Sequence, residues 1–135
     1  MPPLEQAPRH QSRERALALL YEADVKGQSI GAVVAAQPVE PDAFTMTLVQ
    51  QVGARLVEID GLLADMAIGW EIGRMAAVDR NILRMAVGEL LDVSGPPTAV
   101  IVNEAVELAG EYSTEDSGRF VNGVLSAIAA KVRPG

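Results

Sequence analysis

The apolar residues of this chain recur at three- and four-residue intervals along most of its length, and period-two alternation is nearly absent. That spacing sets side chains above one another on a single stripe of an α-helix. A first helix is predicted over Ser12 to Lys26, where Leu17, Leu20, Tyr21 and Val25 share a face and Gly27 offers a stop. A short helix over Ile30 to Ala36 turns Val33 and Val34 inward. Beyond a loop containing Pro38 and Pro41, Asp42 is placed to cap a helix whose stripe reads Phe44, Leu48, Val52, Leu56 and Ile59. Gly61 marks a bend or break before Leu62, Leu63, Met66 and Ile68. Asp79 is positioned to cap the next helix, which buries Ile82, Leu83, Met85, Ala86, Leu90 and Leu91 and ends at Gly95-Pro96-Pro97. Val102, Ala105, Val106 and Leu108 mark another. Ser113 to Asp116 reads as a capping box opening a last helix that carries Phe120, Val121, Val124, Leu125, Ile128 and Val132.

The prolines agree with this division. None lies between Pro41 and Pro96, and proline inside a helix removes a hydrogen bond and clashes with the preceding turn. Val100-Ile101-Val102 is β-branched but too short for a sheet. The fold class predicted is all-α, a compact bundle of six or seven helices.

Composition narrows the function. With 135 residues, 49% of them hydrophobic, one domain with its own core is expected, over residues 12–133 behind a flexible basic tail at residues 1–11. The absence of cysteine excludes a disulfide framework, a zinc–thiolate site and a thiol nucleophile. The N-terminus is polar and broken by proline, unlike a signal peptide, and no stretch approaches the ~20 apolar residues of a membrane span. A cytoplasmic protein without a membrane partner is therefore expected.

A net charge of −7 argues at first against nucleic acid. The positions of the charges change that. Glu89 to Asp116 holds acids and no Lys or Arg, whereas Arg119, Lys131 and Arg133 follow with no acid among them. Arg9, His10, Arg13 and Arg15 make one basic group near the start, and Arg74, Arg80 and Arg84 a second. One surface is thus expected to be basic and another acidic.

Catalytic constellations are missing. His10 is the single histidine and falls in the predicted tail, a poor place for a general base. The segment Gly69-Trp70-Glu71-Ile72-Gly73 lacks the third glycine and the βα context of a phosphate loop. Glu104 and Glu107 share a helix face, but no Glu-x-x-His accompanies them and no His or Cys cluster points to a transition metal. A non-enzyme without cofactor or metal is expected.

Three blocks carry more information than composition. They are Ala77-Val-Asp-Arg-Asn-Ile-Leu-Arg-Met-Ala-Val-Gly-Glu-Leu-Leu91, Val102-Asn-Glu-Ala-Val-Glu-Leu-Ala109, and Ser113-Thr-Glu-Asp-Ser-Gly-Arg-Phe-Val-Asn-Gly-Val-Leu125. In this order and spacing, and with Arg13-Glu-Arg-Ala-Leu-Ala-Leu-Leu-Tyr21 ahead of them, they resemble the transcription antitermination factor NusB family. The resemblance implies seven helices in two packed three-helix groups. It implies binding of boxA in nascent ribosomal RNA together with the ribosomal protein NusE, and contact with the RNA polymerase elongation complex through other Nus factors. It assigns Arg9, His10, Arg13, Arg15, Tyr21, Arg80 and Arg119 to RNA, and Asp79, Asp116 and Phe120 to a protein partner.

Two other readings share the resemblance. NusB-like domains are also fused to ribosomal RNA cytosine methyltransferases, and a protein-interaction or homodimerisation module would need no basic surface. Two departures from the family pattern carry structural expectations: Gly88 leaves a gap in its helix face or thins a contact surface, and Gly118 weakens the first turn of the last helix. Asn122-Gly123 is expected to allow close helix approach.

Overall fold

Helices form where the apolar spacing places them, with two boundaries moved. The computed structural model describes residues 6–67 and 71–134. Within them lie α1 (Gln6–Lys26), α2 (Ile30–Ala35), α3 (Ala43–Ala54), α4 (Leu56–Met66), α5 (Ala77–Leu91), α6 (Thr98–Tyr112) and α7 (Glu115–Val132), and a 3₁₀ turn over Ile72–Arg74. No strand occurs among the described residues, so Val100-Ile101-Val102 lies in α6. Residues 1–5 of the predicted tail, and Ile68, lie outside the described residues.

The first moved boundary is the start of α1. It begins at Gln6 rather than Ser12, so the second half of the predicted flexible tail is helical. The second is the break between α3 and α4. It falls at Arg55, whose φ of −129° and ψ of 26° leave the helical region, and Gly61 sits inside α4. Turning there lets α4 bury Ile59 and Leu63 while packing on α5 and α7. Arg55 clamps the new start by donating from Nε and Nη2 to the Glu58 carboxylate at 2.8 and 2.7 Å.

Helix α5 is the joint of the molecule. On one side α1, α2 and α3 pack together; on the other, α6 and α7 pack together with α4 against α7. Helix α5 touches α1, α3, α4, α6 and α7. Its buried residues run without regard to face from Asn81 to Leu90, interrupted only at Arg84. A helix buried on all sides belongs at the centre of a core. Each of its fully buried side chains, such as Ile82, Leu83 and Leu90, contributes about 2 kcal/mol through loss of apolar surface from water.

Caps and glycines refine this picture. Asp42 caps α3 as predicted, accepting from the Thr45 backbone N–H at 3.1 Å. Its carboxylate also accepts from the hydroxyls of Thr45 and Ser12, and these bonds hold its pKa at about 2, below the ordinary 3.8. A depressed carboxylate supplies stability that is complete above its unfolded pKa and lost as pH falls toward its folded one. Asp42→Ala is therefore expected to cost about 1 kcal/mol near neutrality. In urea unfolding, its deficit from the wild type should shrink as pH drops from 3.8 toward about 2.

Other expected caps shift. Asp79 does not cap α5; the N-cap is Ala76, and Asp79 sits inside the first turn. The cap of α7 is Thr114, which accepts from the Ser117 N–H at 3.1 Å, one residue beyond the predicted Ser113–Asp116 pairing. Gly27 closes α1 with φ +65°, a left-handed conformation that suits glycine.

Gly88 leaves no gap: a Cβ there would stand 3.5 Å from Gln51 Cβ and 3.6 Å from Val52 Cγ2, so α3 has closed on it. Gly118 is buried with Val106 at van der Waals distance, so its first-turn position serves the α6–α7 contact. Gly123 is the reverse of its expectation, since among the described residues a Cβ there would meet nothing within 4 Å. Gly123→Ala should accordingly raise stability by about 1 kcal/mol, read as a higher denaturant midpoint with an unchanged slope.

Candidate nucleic-acid interface

The residues predicted to meet RNA separate into those the fold exposes and those it consumes. Arg13 is consumed. It is 2% exposed, and its Nη2 and Nε donate to the two Glu89 carboxylate oxygens at 2.8 and 3.2 Å. Glu89, on α5, is itself 3% exposed. The predicted phosphate contact at Arg13 is corrected: its guanidinium is an interior group joining α1 to α5.

Arg80 is likewise committed. Its Nε and Nη2 each lie 2.8 Å from Asp24 Oδ2, and its Nη1 donates to the Ile72 and Met75 carbonyl oxygens at 3.0 and 3.2 Å. Asp24 also accepts from Asn81 at 2.8 Å, and these bonds with the charges of Arg80 and Arg84 lower its pKa despite burial. Arg84 forks onto Asp60 with both bonds at 2.9 Å. The second predicted basic group is thus largely neutralised inside the fold, where it ties α5 to α1 and α4.

Arg9, Arg15, Tyr21 and Arg119 remain accessible. Arg9 is exposed on α1, with its guanidinium carbon 5.1 Å from the centre of the Phe44 ring; Arg13 approaches the same ring at 5.1 Å. Cations attract the ring quadrupole, so Phe44 steadies the Arg9 guanidinium. Arg15 reaches the loop after α2, donating to the Val39 carbonyl oxygen at 2.5 Å. Arg119 projects into solvent with 80% of its side chain exposed, paired with Asp116 one turn earlier.

Tyr21 lines an apolar hollow of about 460 Å³ with Leu17, Val25, Val78 and Tyr112. Tyr112 faces it from the end of α6, and its hydroxyl donates to Glu14. That carboxylate, with burial and the Glu111 charge, pushes the Tyr112 pKa up to about 12. Sequence reading missed Tyr112, although its place at the end of an amphipathic helix just before Ser113-Thr114 was a usable signal.

The three residues predicted for a protein partner come together. Asp79, Asp116 and Phe120 line one hollow with Met75, Ala76, Thr114 and Ser117. Ser117 donates to Asp79 Oδ2 at 2.9 Å, while Asp79 Oδ1 is buried without a hydrogen-bond partner among the described residues. Val78 lines the Tyr21 hollow and Asp79 this one, so the two meet at the start of α5.

His10 does not stand free. Its Nδ1 lies 3.0 Å from Glu104 Oε2 and its Nε2 3.1 Å from Glu111 Oε1. The bond to Glu104 raises the imidazole pKa against the opposing effect of burial, and the charges of Glu104, Glu111 and Glu14 add to the rise.

Comparison with known proteins agrees with the three sequence blocks. The family model described as NusB family matches residues 10–130. The transcription antitermination protein NusB of Saccharopolyspora erythraea is 46% identical over 127 residues, covering 90% of this chain and 86% of that protein. That of Streptomyces griseus is 43% identical over 130 residues, covering 89% and 90%. The structure of T. maritima NusB superposes with a TM-score of 0.83 at 29% identity over 94% of both chains. A structure of antitermination factors NusB and NusE in complex with double-stranded RNA matches with a TM-score of 0.78 at 30% identity, over 91% of this chain and 96% of that one. These agreements in sequence and in fold place the chain in the NusB family.

Proposed function

We propose that this protein is an antitermination factor that binds boxA of nascent ribosomal RNA jointly with a NusE-type ribosomal protein, and so keeps RNA polymerase processive. The observation that carries this reading is the likeness, over 91% of the chain, to a NusB solved with NusE and RNA. Arg9, Arg15 and Arg119 supply phosphate contacts and Tyr21 a stacking surface, as recognition of unpaired bases needs. The hollow of Asp79, Asp116 and Phe120 serves the protein partner, with the acidic residues facing a basic ribosomal protein. The elongation complex is reached through other Nus factors. The role is one of binding in the cytoplasm rather than catalysis; no helix among the described residues is long and apolar enough to cross a membrane.

Fluorescence anisotropy with boxA-like and scrambled RNA, with and without the NusE-type protein, tests this over a salt series. Binding should be weak alone, tighter with the partner, and specific for boxA. Arg9→Ala with Arg119→Ala should flatten the log–log salt dependence by about 0.7 per lost phosphate contact while the melting curve stays in place. Equal affinity for scrambled RNA under all conditions would overturn boxA recognition.

A further inference from the structure

Around His10 the fold assembles groups that the RNA-binding reading leaves unused. Helix α1 supplies His10 and, one turn on, Glu14; α6 supplies Glu104, Glu107 and Glu111 from one stripe. The two ring nitrogens have different surroundings. Nδ1 is taken by Glu104 at 3.0 Å. Nε2 faces Glu111 Oε1 at 3.1 Å and Glu14 Oε1 at 3.9 Å. Donor atoms from His10, Glu14 and Glu111 all lie within 4.8 Å of one another. Bonds of about 2.0–2.2 Å to a shared ion set tetrahedral donors roughly 3.4 Å apart, between the 3.1 and 3.9 Å found at Nε2.

Two further features fit a cation. In the neutral ring a carboxylate on Nδ1 keeps the proton there and leaves the Nε2 lone pair facing Glu111 and Glu14, the usual support of a metal-bound histidine. The Tyr112 hydroxyl does the same for Glu14, holding Oε2 while Oε1 stays directed at His10. Charge points the same way. Glu14, Glu104, Glu107 and Glu111 crowd one spot, and Arg13, bonded mainly to Glu89, reaches only Glu104 among them, at 4.0 Å. A single imidazolium leaves most of that negative charge unbalanced, and a dication balances more of it.

We propose that His10 Nε2, Glu14 and Glu111 bind a divalent transition-metal ion of the kind that accepts imidazole, such as Zn²⁺, with Glu104 as the residue that orients the ring. Glu104 and Glu107 also come close to His10. Arg13 Nη1, however, lies 4.0 Å from Glu104 Oε2 and places a fixed positive charge beside that alternative. The ion staples the first turns of α1, which carry Arg9, to α6. Three protein ligands leave a coordination position for water. Mg²⁺ prefers oxygen ligands and its own waters, so it is excluded.

The test is a titration of the full chain, first stripped with chelator, by ZnCl₂ or MgCl₂. Calorimetry and imidazole ¹H–¹⁵N spectra report binding. One Zn²⁺ per chain is expected, with the His10 Nε2 resonance shifted, Nδ1 still protonated, and Mg²⁺ without effect. His10→Ala and Glu111→Gln should each weaken Zn²⁺ binding at least about tenfold, and Glu104→Gln about tenfold. Glu107→Gln should leave it unchanged, and melting in chelator checks that every variant is folded. Absence of stoichiometric Zn²⁺ binding, wild-type affinity in either His10→Ala or Glu111→Gln, or metal on Nδ1 would overturn the site; the acids then only hold an imidazolium.

Discussion

Arg13→Ala is expected to destabilise the protein by about 3–5 kcal/mol, because it strands the Glu89 carboxylate in the core. Glu89 is 3% exposed, and both of its oxygens are met by Arg13. Removing the guanidinium leaves a buried charge with no counter-ion, far costlier than losing a surface pair. Arg13→Lys should fall between wild type and alanine, since an ammonium cannot reproduce the two-pronged bond. Replacing both partners with apolar residues of similar volume, Arg13→Met with Glu89→Leu, should recover most of the loss, because the interior then holds no ion at all. Denaturant unfolding of the four proteins checks this. A cost below about 1 kcal/mol for Arg13→Ala would mean that Glu89 finds solvent, contrary to its burial. Arg13→Lys, if folded, should bind RNA as the wild type does; a selective loss there would return Arg13 to the interface.

The Arg13–Glu89 pair also marks where local sequence signals end. Arg9, Arg13 and Arg15 look alike as a basic cluster, yet the fold exposes the first, buries the second and turns the third to a loop carbonyl. A local signal did separate them. Arg13 stands four residues before Leu17 and seven before Leu20, on the stripe that is buried in α1. A charge on that stripe demands a buried counter-charge, but nothing local names Glu89, which is 76 positions away. Arg80 and Arg84 failed for the same reason: their acids, Asp24 and Asp60, arrive on α1 and α4.

What was legible rested on short-range physics. The helices follow apolar spacing, and Asp42 caps α3 because capping depends on residues three apart. The α3–α4 break was misplaced because Val52, Leu56 and Ile59 continue a helical stripe across it. Only the packing of α4 on α5 and α7 requires the turn at Arg55. The family blocks named Asp79, Asp116 and Phe120, and the fold brings these three to one hollow. They could not reveal the acids around His10, since Glu104 lies 94 positions from it.

Arg133 yields the second large effect, about 2–3 kcal/mol for Arg133→Ala. Its guanidinium closes the C-terminus of α5 from outside that helix. Nε donates to the Leu90 carbonyl oxygen at 2.8 Å, Nη2 to those of Glu89 and Asp92 at 3.1 and 2.7 Å, and Nη1 to that of Pro96 at 3.0 Å. The last carbonyls of a helix have no partners within it, and they carry the negative end of its dipole. A cation with several donors in a fixed fork answers both deficits, and from the end of α7 it also ties that helix to the Gly95-Pro96-Pro97 turn. Arg133→Lys keeps the charge but cannot span these acceptors, so it should restore less than half of the loss. Unfolding midpoints give the magnitude. Hydrogen exchange gives the place: amides in the last turn of α5 should lose protection in Arg133→Ala well before those of α1. A uniform loss across the chain would show that Arg133 supports the whole core and not this terminus, because only a local cap leaves the remaining helices closed when it opens.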